Sequence, residues 1–126
     1  MKTLISIALG GGFGALARHY LSRFISMSFG KFFPLGTLAV NLAGALLIGF
    51  FYGMFYNRII PEEIRAFISI GFLGAFTTFS TFTLENIQLF QDGEIKSALI
   101  NIAVSNIFGL LCVLAGMYIA GMLFQK

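Results

Sequence analysis

Between two phenylalanines three positions apart, Phe79 and Phe82, the sequence places two hydroxyl side chains, Ser80 and Thr81. An aromatic ring has a positive edge and a hydroxyl has a donor, so this cluster can turn partial positive charge toward one spot without a formal charge. No acidic side chain stands among the four. Such a lining suits a small, strongly hydrated anion. The plainer reading of phenylalanine at helical spacing is core or lipid contact, and with 16 Phe in the chain most of them serve that way. Only the interleaving with hydroxyls raises this pair above the rest. Enzyme chemistry is not expected: Glu62, Glu63, Asp92 and Glu94 fall in connecting segments, with no nucleophile and base paired at a recognisable spacing. The sole cysteine, Cys112, excludes an intrachain disulfide or a cysteine metal cluster. His19 has neither a second histidine nor a nearby carboxylate, which argues against a metal role.

Other polar residues repeat at four-residue spacing and so share helical faces. Thr37 and Asn41 lie on one face, continued by Gly44; Asn101 and Ser105 lie on another, continued by Gly109. An amide in mid-span has donors and an acceptor to satisfy, so it either ties neighbouring helices together or lines a polar pathway. Two such tracks together with Ser80 and Thr81 favour a pathway. Gly10, Gly14 and Arg18 form a third face, in which the glycines allow close helix contact. A guanidinium near the end of a span must pair, snorkel or face water, so Arg18 either holds positive potential at a vestibule or is structural.

These residues need elements to hold them in place. The chain is 58% hydrophobic and 10% charged with a mean hydropathy of +0.92, which identifies an integral membrane protein with no room for a soluble domain. Charge-free runs at 3–17, 32–57, 66–84 and 97–125 predict four transmembrane helices, the first continuing past Arg18 toward Ile25 or Met27. A glycine-rich start with an arginine ahead of any cleavage site argues against a cleaved signal peptide. The whole chain, 1–126, reads as a single all-α transmembrane domain. In its third span, GFLGAFTTFSTFTLE at 71–85 combines two glycines, five hydroxyl side chains and four phenylalanines. Glycine and β-branched threonine weaken the helix, and hydroxyls re-satisfy backbone groups that a break sets free, which predicts an interruption at 74–78.

The basic residues divide evenly: Lys2, Arg58, Arg65 and Lys126 fall on one side, Arg18, Arg23, Lys31 and Lys96 on the other. An even count gives weak orientation preference, unless Arg18 is buried and leaves a slight bias. A nearly balanced small protein is a candidate for an antiparallel homodimer with its two-fold axis in the membrane plane. The net charge of +3 is scattered and forms no patch for nucleic acid.

Four segments taken together, GGGFGALAR at 10–18, GTLAVNLAG at 36–44, GAFTTFSTFTLE at 74–85 and SNIFGLL at 105–111, resemble the Fluc (CrcB) family of fluoride channels. The resemblance covers essentially the full length, and TTFSTF is its most specific part. It implies a multi-pass protein of the plasma (inner) membrane, a dual-topology antiparallel homodimer with two pores through which cytoplasmic fluoride leaves passively. It also implies that Phe79 and Phe82 face fluoride, that Asn41 is a pore amide donor, and that Ser80, Thr81, Asn101 and Ser105 belong to the polar track; the spacing reading adds Thr37 to that track and Arg18 at a vestibule. The backbone carbonyls of Gly74 and Thr77 from both subunits are implied ligands of a central structural sodium ion. Helix 4 departs from the family pattern at Gly109, where a hydroxyl is frequent, and at Asn101. The rival reading is a small dual-topology four-helix drug/proton exporter, but that needs an acidic residue in the middle of helix 1, where this chain has none. A non-conducting structural subunit would have no need of Asn41, Thr37, Asn101 and Ser105 inside the membrane.

Overall fold

The computed structural model describes residues 1–30, 32–56 and 58–124. Lys31 and Lys126 of the charge count, and Asn57 and Gln125, which close the second and fourth charge-free runs, lie outside the described residues. Every regular element among the described residues is helical: α1 (Lys2–Phe29), α2 (Leu35–Phe55), α3 (62–76), α4 (Phe79–Gln91) and α5 (Ile95–Phe124). Pro34 and Pro61 stand just before α2 and α3, where a missing N–H costs nothing. Gly93, at φ 79, closes α4 and lets the Glu94 N–H reach back to the Leu89 carbonyl at 2.8 Å, a turn that only glycine makes without strain.

Among the described residues, three stretches are long and apolar enough to cross a bilayer: Leu35–Phe55, Glu62–Gln91 and Ile95–Phe124. The protein is therefore a multi-pass membrane protein. The first helix is longer than its charge-free run of 3–17 and passes Arg18 and Arg23 without interruption to Phe29.

Without water to drive helices together, membrane helices associate by close approach of small residues. On α1, a Cβ at Gly14 would collide with the Phe72 carbonyl, and one at Gly10 with the Phe67 carbonyl. From α3, Gly71 answers against the Ile7 carbonyl. The α3 backbone is π-helical over Ala66–Phe72, the Leu73 N–H donating to Ile68 five residues back. The wider turn brings Phe67, Gly71 and Phe72 together against α1, a winding that residue spacing alone does not announce. On the other side of the bundle Gly49 meets the Val113 carbonyl, Gly116 meets the Leu46 carbonyl, and Gly53 meets Ala120. From the contact of Gly10 with Phe67 to that of Gly14 with Phe72, and from Gly49 with Val113 to Gly53 with Ala120, the numbers rise together, so α1 runs parallel to α3 and α2 to α5. Gly36 at the start of α2 lies against Ser22 and Ser26 near the end of α1, as an antiparallel hairpin requires.

The interruption of the third rod falls at Thr77 and Thr78. Gly74, the first residue of the expected 74–78 range, is still helical. Thr77 is extended at φ -87, ψ 159 and Thr78 at φ -149, ψ 117, after which α4 begins.

Candidate functional site

The break at Thr77–Thr78 leaves backbone groups without helical partners inside an apolar segment, where each costs several kcal/mol as a rough figure. Side chains take their place. The Thr78 N–H donates to Asn41 Oδ1 at 2.7 Å and the Asn41 amide returns a bond from Nδ2 to the Thr78 carbonyl at 3.0 Å. One carboxamide thus satisfies both main-chain groups of one residue, as a paired strand would. Thr78 also caps α4: its Oγ1 accepts from the Thr81 N–H at 3.2 Å and donates to Thr81 Oγ1 at 3.0 Å. Thr77 closes α3 by donating from Oγ1 to the Leu73 carbonyl at 3.1 Å. Gly44 makes room for all this, because a Cβ there would strike Thr77 Cγ2.

Arg18 reaches the same break from α1. Its Nη1 donates to the Thr77 carbonyl at 3.3 Å. A cavity of about 670 Å³ opens beside it, lined by Arg18, His19 and Arg23 from α1, Thr37 from α2, and Thr78 and Thr81 from the break and α4. Its walls carry donors and cations. A second cavity, of about 400 Å³, is lined by Asn41, Gly74, Thr77, Thr78 and Phe79 among others.

Beyond the break, α4 presents the aromatic pair. Phe79 is 77% exposed and Phe82 half-buried, with ring centroids 5.8 Å apart and planes tilted by 39°. Ser80 and Thr81 are exposed beside them. Two polar contacts hold α4 against its neighbours. Thr37 Oγ1 on α2 donates to Glu85 Oε1 at 2.7 Å, while Glu85 Oε2 is buried without a partner among the described residues. On the α5 side, Asn101 Nδ2 donates to Asn86 Oδ1 at 3.0 Å, and Ser105 Oγ donates to Asn101 Oδ1 at 3.4 Å.

The residues that the sequence singles out therefore separate into groups. Arg18, Asn41 and Thr77 meet at the break; Phe79, Ser80, Thr81 and Phe82 form the first turn of the helix that follows it, the two rings on one side and the hydroxyls around from them. Thr37 and Asn101 hold α4 in place, and Ser105 stands behind Asn101. Asn86 is absent from the sequence expectations. It lies seven residues after Phe79 and four after Phe82, on the same helical stripe, and the rule applied to Asn41, that an amide within a span must find partners, points to it equally.

Comparison with known proteins places the chain in a family. The family described as "CrcB-like protein, Camphor Resistance (CrcB)" matches residues 5–117. A protein of Citrifermentans bemidjiense named fluoride-specific ion channel FluC is 46% identical over 121 residues, covering 95% of this chain and 98% of its own. Proteins of the same name from Geobacter sp. and Pelobacter propionicus are 45% and 41% identical, the first over 95% of this chain and the second over 99%, each across 98% of its own length. With the break, its aromatic face and its asparagine brace on one continuous match, the chain belongs to the CrcB family.

Proposed function

We propose that this protein is a fluoride-selective channel through which cytoplasmic fluoride leaves passively, and not an enzyme. The observation that carries the reading is the first turn of the helix after the break: an exposed Phe79 beside Phe82, with two hydroxyls between them and no acidic side chain among the four, in a chain of the CrcB family whose relatives are named for fluoride. Ring edges and hydroxyl donors replace water around a compact anion at no cost of a fixed cation that would hold it too tightly. Arg18 and the donors of its cavity supply positive potential at the entrance, a vestibule that concentrates anions.

The functional unit in this reading is an antiparallel, dual-topology homodimer in which α1, α2, the α3–α4 rod and α5 cross the membrane as four spans, and each orientation contributes one pore. The even division of basic residues supports it, because neither face is favoured on insertion. Phe79 then faces the partner or the pathway instead of lipid. Asn41 keeps one amide proton beyond its bond to Thr78 and can offer it to the permeant ion.

A central sodium ion fits the donor set at the break. The Thr78 N–H goes to Asn41, not to the Gly74 carbonyl four residues back, and the Thr77 carbonyl lies outside the helix with a second lone pair beyond the Arg18 bond. Carbonyl oxygens from Gly74 and Thr77 of two chains suit a hard cation, and with no carboxylate in the break a monovalent one. Its role would be structural, tying the two breaks together.

In bacteria lacking their own fluoride exporter, expression of the chain should restore growth in raised fluoride. Growth no better than with an empty vector, despite membrane insertion, would count against the reading.

A further inference from the structure

Two carboxamides lie buried side by side between α4 and α5. Asn86 is 4% exposed and Asn101 1%. Burying two amides in a membrane protein is costly unless they satisfy each other. Here the bonds run in one direction: Ser105 Oγ to Asn101 Oδ1 at 3.4 Å, Asn101 Nδ2 to Asn86 Oδ1 at 3.0 Å, and Asn86 Nδ2 to the Phe82 carbonyl at 2.8 Å. Since Nδ2 only donates and Oδ1 only accepts, the bond to the Phe82 carbonyl fixes which end of Asn86 faces α5. The series therefore has a single polarity and ends on the backbone of a pore-face phenylalanine.

The need for such an anchor follows from the break. With Thr77 and Thr78 unwound, α4 has no helical continuity with α3 and its rotation must be set from the side. Glu85 and Asn86 are consecutive, so they point about 100° apart around the helix. Glu85 is tied to Thr37 on α2 and Asn86 to Asn101 on α5. The two contacts fix the rotation of α4 and with it the rings at Phe79 and Phe82, which share the stripe of Asn86. We infer that Asn86, braced by Asn101, is a positioning residue that holds the Phe82 segment of α4 at the angle the anion pathway needs, and that neither amide touches the permeant ion.

The inference rests on the fluoride-channel reading and is tested with a readout that does not depend on transport. Phe82 is replaced by para-fluorophenylalanine in wild type, Asn86→Leu, Asn101→Leu and the double variant. Fluorine NMR and fluoride efflux from liposomes are recorded on each. Asn101→Leu, one helix away, should shift the Phe82 resonance as Asn86→Leu does, and each should cut efflux about tenfold, since each leaves the other amide unpaired. The double variant should lose no more than the worse single one, because the two residues make one contact. If a single variant does not fold, the double variant, which leaves no buried amide, still answers: an unmoved resonance with full efflux overturns the inference. Losses that multiply in the double variant would also overturn it, by making each amide an independent contact of the ion. An absence of efflux from wild type would instead sink the channel reading, while a shifted resonance would still uphold the brace.

Discussion

A phenylalanine in an apolar chain carries little information by itself, and exposure does not single out Phe79, since Phe29 and Phe32 are also widely exposed; what distinguishes it is its place at the first position after the break, beside Phe82. Replacing Phe79 or Phe82 by isoleucine keeps apolar bulk but removes the positive ring edge, an interaction of about 1 kcal/mol. Fluoride efflux should fall about fivefold or more while the folded assembly persists on size-exclusion chromatography. Unchanged efflux in both variants would return the rings to packing. Asn41 differs, because it serves the fold first. Asn41→Asp keeps an acceptor for the Thr78 N–H but sets a second oxygen against the Thr78 carbonyl. Both conduction and stability should drop, the latter by about 1–3 kcal/mol, seen as a lower thermal midpoint. A variant with normal stability and lost conduction would make Asn41 a pore donor alone.

Among the helices, the α1–α3 crossing offers an internal control. A Cβ at Gly14 would collide with the Phe72 carbonyl, whereas Gly12, two residues earlier, has nothing within 4 Å. Gly14→Ala should cost about 1–3 kcal/mol in a thermal or denaturant melt, and Gly12→Ala should be neutral or stabilise by up to about 1 kcal/mol. Equal effects would contradict the crossing. At the break, Thr77→Ser should be tolerated, because the hydroxyl bond to Leu73 and the main-chain carbonyl are both kept. Much of this level was legible in the sequence. GFLGAFTTFSTFTLE announced an interruption because its glycines and β-branched residues weaken the helix while its hydroxyls can cap one. The location was less legible: Thr77–Thr78 opens, not Gly74, because Asn41 and Gly44 on α2 supply the bonds and the space there, and those partners are remote in sequence. For the same reason Asn86 escaped notice; its importance comes from Asn101, fifteen positions away on another helix. The π-helical stretch has no composition of its own and arises from fitting α3 to the glycine face of α1.

For the whole molecule, the composition identified the membrane, since it depends on counts alone, and the even division of basic residues is the ground on which two-way insertion is proposed. Adding lysines to the connection between α2 and α3, at 58–61, should bias every copy to one orientation. Such protein should be inactive alone and regain function when mixed with an oppositely biased variant; full activity of a uniformly oriented population would refute antiparallel assembly. The central claim is that the aromatic and hydroxyl residues of the first turn of α4 line a pathway that passes fluoride selectively. Its most direct test is efflux from liposomes containing purified protein, with fluoride and chloride measured by ion-selective electrodes on the same preparation. The expected result is rapid loss of fluoride with chloride retained as in protein-free vesicles, and comparable release of both ions, or of neither, would contradict it.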